Sequence, residues 1–209
     1  MKMKKSYKGY IVSGVIAVLV ITLFVSGKSA YNSMVTLEQD VDQAWSKVEV
    51  QYQRRMDLIP NLVETVKGYA EHESSTFENV TRARAGLSDA YNQAKGLEGA
   101  ASPADAQAFE KYTAAQQDLN KALSIYVNAV REAYPDLKAQ TQFADLQTQL
   151  EGTENRIATE RGRYTDVVKE YNVAVKRFPA NIWAGMFGFT AKPQFAADAA
   201  AAQAPKVQF

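Results

Sequence analysis

The stretch LEGTENRIATERGRYTDVVKEYNVAVKRF, residues 150–178, places Leu150, Ile157, Tyr164, Tyr171 and Phe178 at successive intervals of seven. Val168 and Val175 fill alternate positions. A seven-residue apolar period keeps one stripe of a helix turned toward a neighbour along its whole length, whereas a half-buried strand would need a period of two. The stretch therefore reads as a long helix packed at a small crossing angle, and with it the fold as all-α.

Working outward, Phe143 and Leu146 carry the same stripe upstream. A second runs through Phe109, Tyr112, Leu119, Leu123, Tyr126, Val130 and Leu137. A third follows Met34, Leu37, Val41, Trp45, Val48 and Tyr52, then Ile59, Leu62, Val66 and Tyr69, with Val80 later. Ala, Gln, Glu, Lys and Arg dominate, and the few Gly and Pro cluster, which is a helical composition.

Those clusters divide the stripes. Gly96–Pro103 (GLEGAASP) is the surest chain reversal, with Ser102 as an N-cap and Pro103 at the first helical position. Tyr134-Pro135-Asp136 is the next best. Asp57–Asn61, containing Pro60, is ambiguous, because proline costs about 3 kcal/mol inside a helix but little in a first turn. If all three sites reverse, helices near 31–56, 58–96, 103–134 and 136–177 make a long antiparallel four-helix bundle, the favoured reading. If Pro60 and Pro135 only kink, 31–96 and 103–177 make one long kinked helical hairpin.

Ahead of this body lies a basic tail, residues 1–8, and then Gly9–Gly27, nineteen consecutive uncharged residues. As a helix that run would extend roughly 28 Å, the thickness of a bilayer's hydrocarbon core. It reads as an uncleaved transmembrane helix. A cleaved secretory signal is the alternative, with Val25-Ser26-Gly27 as a weak cleavage site. Lys2, Lys4, Lys5 and Lys8 precede the run, whereas Lys28 alone follows closely. The positive-inside rule then keeps the N-terminus in the cytoplasm and places the body outside it, as a single-pass protein of a bacterial cytoplasmic (inner) membrane. A cytoplasmic body is the converse. With no cysteine, acylation of the anchor is excluded.

The domains expected are thus the tail 1–8, the span 9–27, the helical body 31–178, an aromatic apolar segment 179–189 and a flexible Ala-rich tail 190–209. Residues 179–189, PANIWAGMFGF, are too short to span a membrane. Trp183, Phe187 and Phe189 are expected to form a lid over the end of the bundle or, as the alternative, an interfacial contact with lipid.

Chemistry is sparse. Lys and Arg total 24 and Asp and Glu 23, which gives no bulk attraction to nucleic acid. A di-metal site between helices needs two Glu-x-x-His pairs, and the single His72 supplies none. No nucleophile, phosphate loop, cofactor site or small-molecule substrate is indicated, and an enzyme is not expected. Arg54, Arg55, Arg82, Arg84, Arg156, Arg161 and Arg163 outnumber what solubility requires. Arg55 falls on an apolar stripe, where an ion pair with Asp57, Glu64, Glu154 or Glu160 is expected, or else a clamp for an anionic headgroup or partner. Val207-Gln208-Phe209 matches a carboxyl terminus captured by a PDZ-type groove, against the plainer reading of an inert end.

Tyr31-Asn32 with AWSKVEVQYQRRMDLIPNLVETVKGYAEHESSTFENVTRARA (44–85), then residues 150–172, Phe178-Pro179 and GMFGF, resembles the two signatures of the LemA family. The resemblance implies an N-terminally anchored, all-helical membrane protein of poorly defined biochemical role. Some relatives are tied to magnetosome membranes and others encoded near membrane proteases, pointing to envelope maintenance or remodelling. It supplies no catalytic residues. It marks Arg54, Arg55, Asp57, Pro60, Asn61 and Glu64 as a structural or interaction hub, to which Arg156, Arg161 and Arg163 are added. The family's N-terminus is predicted outside the cell, opposite to what the lysines here imply. The expectation is a non-enzymatic, membrane-anchored scaffold or adaptor acting through self-association (a homo-oligomer) or an envelope protein partner. A membrane-remodelling coat and a PDZ-read adaptor are the alternatives.

Overall fold

The computed structural model describes residues 4–73 and 77–195. Its helices are α1 (Lys4–Glu73), α2 (Glu78–Gly96), α3 (Ala106–Ala133), α4 (Thr141–Lys176) and α5 (Ala180–Phe187), with a 3-10 turn at Pro135–Ala139. The fold is all-α, and the described residues contain no strand. They divide into two compact units. One combines the chain up to Val41 with Lys169–Ala191, and the other combines Asp42–Val168 with the chain from Lys192.

In the larger unit the stripes read from sequence are the core. Ile59, Leu62 and Val66 of α1 share one cluster with Val80 and Leu87 of α2, Leu119 to Val130 of α3, and Phe143 to Leu150 of α4. Burying each such side chain stabilises by about 1.5–3 kcal/mol. Contacts fix the helix directions. Trp45 meets Tyr164 while Arg55 meets Glu154, so α1 and α4 run antiparallel. Phe109 stacks on Tyr164 while Arg131 pairs with Glu151, so α3 and α4 do too. Gln53 bonds Glu98 just past the end of α2, and Phe77 ahead of that helix packs on Tyr134 at the end of α3.

The reversal expected at Asp57–Asn61 does not occur. Helix α1 runs through Pro60, and the chain turns back between Glu73 and Glu78. Pro60 is exposed, whereas Leu58, Ile59 and Leu62 around it are buried. The burial of three apolar side chains offsets the roughly 3 kcal/mol cost of a proline that removes one backbone hydrogen bond. The continuity through Pro60 rules out a helix starting at 58, and the separate α1 and α2 rule out a single helix over 31–96. At Pro135, by contrast, α3 ends and α4 returns beside it.

Helix α3 also begins later than expected. Its N-cap is Asp105, whose Oδ1 accepts from the backbone N–H of Gln107 (3.0 Å) and Ala108 (3.1 Å). A carboxylate satisfies two orphan donors and the helix dipole together. Ser102 instead closes a local turn, its Oγ accepting from the N–H of Ala104.

Burial gives the core an alkaline limit. The phenols of Tyr112 and Tyr126 are pushed up from 10.0 to about 12, chiefly because their environment disfavours the phenolate. A folded-state pKa above the unfolded one contributes stability that is whole below pH 10 and lost as pH climbs through 12. The denaturation midpoint of the full chain in detergent is expected to hold to about pH 10 and then fall steeply towards pH 12. Tyrosinate absorbance should rise together with the loss of helix.

Candidate functional site

Arg55 is the most unusual side chain in the larger unit: it sits at a core position of α1 with 2% of its surface exposed. Its Nη1 donates to Glu154 Oε1 of α4 at 2.8 Å, and its Nη2 to both the carbonyl oxygen (2.9 Å) and Oε1 (2.6 Å) of Gln116 in α3. Its carbon Cζ lies 5.4 Å from the centre of the Tyr52 ring. One planar fork thus ties three helices, which a lysine could not do from a single nitrogen with the same geometry. Nε finds no partner, so the clamp is not fully satisfied. Burial pushes the neighbouring Tyr52 phenol up, with Arg161 and Arg55 opposing.

Gln116 was legible but overlooked. The α3 stripe steps 109, 112, 116, 119, 123, so a polar residue occupies a core position exactly as Arg55 does on α1. Two polar residues on two apolar stripes signal a buried polar contact between them.

The remaining arginines and signature residues do not converge on this clamp. Arg156 bonds Gln51 and Thr153, Arg163 pairs with Glu160, and Arg161 lies over the ring of Phe195 at 4.4 Å. Arg54, Asp57 and Asn61 are exposed. Pro60 and Glu64, also exposed, line an open groove of about 530 Å³ between α1 and α2, facing Arg84 and Tyr91. Among the described residues no group of three or more His, Cys, Asp and Glu is placed to hold a metal ion.

A second feature, missed in the sequence, is an aromatic cluster in the same unit. Trp45 packs against Phe109, Tyr112 and Tyr164, and Phe195 joins it with ring centres 5.3 Å from both Phe109 and Tyr164. The Tyr164 hydroxyl donates to the carbonyl of Pro193 at 3.0 Å. Residues 192–195, read as the start of a flexible tail, are therefore held against the helices. Val207 and Phe209 lie outside the described residues.

In the smaller unit, α5 packs on α1. The indole of Trp183 lies so close to Gly27 that a Cβ there would sit 3.1 Å from its ring. Tyr31 makes edge contacts with Phe187 (5.1 Å) and Phe189 (5.6 Å). Gly188, at φ 80°, ends α5 in the left-handed conformation that glycine adopts without strain, and so returns Phe189 to Tyr31. Gly27→Leu is expected to push the indole off α1. In protein carrying fluorotryptophan the Trp183 resonance should shift and broaden while that of Trp45 stays, and an unmoved Trp183 line would refute the packing.

The model of the LemA family matches residues 44–209. The chain belongs to the LemA family. It is similar to the magnetosome proteins MamQ 1 and MamQ 2 of Paramagnetospirillum magneticum, each 30% identical over 186 residues, covering 84% of this chain and 68% of the relative. The magnetosome protein MamQ of Magnetospirillum gryphiswaldense is 29% identical over 169 residues, covering 76% and 62%. The Arg55 clamp and the aromatic cluster both lie inside the LemA match. The N-terminal part of α1 lies ahead of it, where the helix is long and apolar enough to cross a membrane and its side chains from Gly9 to Val25 are exposed. A LemA-family chain with such a helix is a membrane protein.

Proposed function

We propose that this LemA-family protein is a non-enzymatic scaffold or adaptor, held in a bacterial cytoplasmic membrane by residues 9–27. Its body, an antiparallel four-helix bundle, works through self-association or an envelope protein partner. The observation that carries this reading is the continuity of α1. The candidate span and the first core helix are one 70-residue helix with no linker between them. The segment that would cross the membrane and the segment that lines the α1–α2 groove are therefore parts of one element. The α1–α2 groove beside Pro60 and Glu64 is the surface favoured for a partner. The four lysines ahead of the span support a body outside the cytoplasm. The relatives named as magnetosome proteins are consistent with a structural part in a bacterial compartment.

The test is amine-reactive crosslinking of the full chain in its native membranes. Adducts larger than the monomer are expected, and they should weaken when Ser88, which lines the groove, is replaced by arginine. Monomer alone at every crosslinker dose would overturn the scaffold reading.

A further inference from the structure

Helix α5 has two faces of different fate. Trp183 and Phe187 turn toward α1, whereas Ile182 and Met186, one turn apart, are 55% and 67% exposed. Phe178, the last position of the seven-residue stripe in the sequence, lies beyond the end of α4 in the turn before α5 and is 76% exposed rather than buried. Three large apolar side chains exposed within nine residues of chain make a patch that water disfavours.

The contacts with α1 say where that patch lies. Trp183 touches Gly27 and Phe187 touches Tyr31, so both helices advance four residues between the two contacts. Helix α5 therefore runs in the direction of α1, and its first turn, with Phe178 ahead of it, points toward the apolar run. At 1.5 Å per residue the two contacts are about 6 Å apart along α1. Gly27 is the last residue of the uncharged stretch, and exposed Lys28 follows it. The patch thus lies at the level where the span would leave the hydrocarbon, and the exposed cations Lys176 and Arg177 immediately precede it.

We propose that Phe178, Ile182 and Met186 enter the boundary between headgroups and acyl chains, giving the protein a second membrane contact beside its span. The occupant of the face is the bilayer surface. Aromatic and aliphatic side chains flanked by Lys and Arg are what that layer favours, with the cations meeting anionic headgroups. A second copy of the chain is the weaker occupant, since three side chains fall well short of the roughly 800 Å² per partner of a stable interface. Residues 179–189 contain no Lys or Arg. Here the cations come instead from the end of α4 and from Lys28. The proposal rests on reading residues 9–27 as membrane-spanning.

The chain has no cysteine, so single-cysteine variants of the full protein can carry an environment-sensitive NBD dye. Ile182→Cys and Met186→Cys test the face, Val18→Cys the span, and Asn92→Cys, exposed on α2 and outside the groove, serves as a control. The variants are reconstituted in vesicles of phosphatidylcholine with phosphatidylglycerol, with nitroxide lipids as quenchers. Dyes at 182 and 186 are expected to be blue-shifted and quenched by nitroxides near the headgroup, the dye at 18 by deep nitroxides, and the dye at 92 by neither. Adding Phe178→Glu should abolish the quenching at 182 and 186 and leave that at 18 intact.

Quenching at 18 with none at 182 and 186 overturns the second contact and leaves the anchor standing. A blue shift at 182 or 186 without quenching means that protein covers the face, which also overturns the proposal. No quenching at 18 removes the anchor reading itself, and the foot with it.

Discussion

Replacing Glu154 by alanine is expected to destabilise the helical body by about 3 kcal/mol, at the lower end of what breaking a buried ion pair costs. The reason is asymmetric burial. Arg55 is 2% exposed and Glu154 31%, so removing the carboxylate strands the charge that cannot reach water. Arg55→Met should cost less, about 1–2 kcal/mol, because Glu154 can turn to solvent and the thioether keeps much of the volume. What remains unpaired is then the side-chain oxygen of Gln116, since its backbone carbonyl lies inside α3 and keeps its helical bond. The double variant should fall short of the sum of the two. Denaturant midpoints of the full chain in detergent, followed by far-ultraviolet circular dichroism, give all three values. Equal costs for the two single variants would show that the pair is not governed by the buried charge.

Trp45→Ala is expected to cost about 3–5 kcal/mol, the range for deleting a buried aromatic, and to lower Tm by roughly 6–20 °C for a domain of this size. Trp45 is 3% exposed, touches four other rings and donates Nε1–H to the carbonyl of Ala101 at 3.3 Å. The cavity would open where α1, α3, α4 and the chain at Phe195 meet, so no single rotamer change could fill it. Trp45→Phe, which retains a ring and loses the hydrogen bond, should cost about 1–2 kcal/mol. An unchanged Tm for Trp45→Ala, read by scanning calorimetry, would mean that the cluster does not contribute to holding the helices together.

The two variants bear on different parts of the sequence reading. Trp45, Tyr52, Phe109, Tyr112 and Tyr164 were legible as core from spacing alone, because a helix repeats its buried face every three or four residues. Arg55 was legible as an exception on that stripe. Its partner was not singled out from four acidic candidates, since spacing along one helix says nothing of which neighbour lies opposite. Gln116 carries the same signal as Arg55, a polar residue at a core step of its stripe. Pro60 misled for a simple reason. A local penalty of about 3 kcal/mol is visible in the sequence, and the burial of Leu58, Ile59 and Leu62 that outweighs it depends on helices far along the chain. Between the end of α1 at Glu73 and the start of α2 at Glu78 the sequence offers only Ser74-Ser75-Thr76, a short polar cluster weaker as punctuation than a proline.

What the sequence determined by itself is everything that periodicity and composition carry: an all-α chain, its core stripes, the breaks at 96–103 and 134–136, and an apolar run long enough to cross a membrane. Tertiary structure alone decided which helices lie opposite one another, and therefore that Arg55 meets Glu154 and Gln116 and that Trp183 meets Gly27. It also decided that Phe195 returns to Trp45 across 150 residues of chain. Local spacing is set by the geometry of one helix. Pairing is set by the apolar area that distant segments bury together, which no stretch of sequence read alone contains.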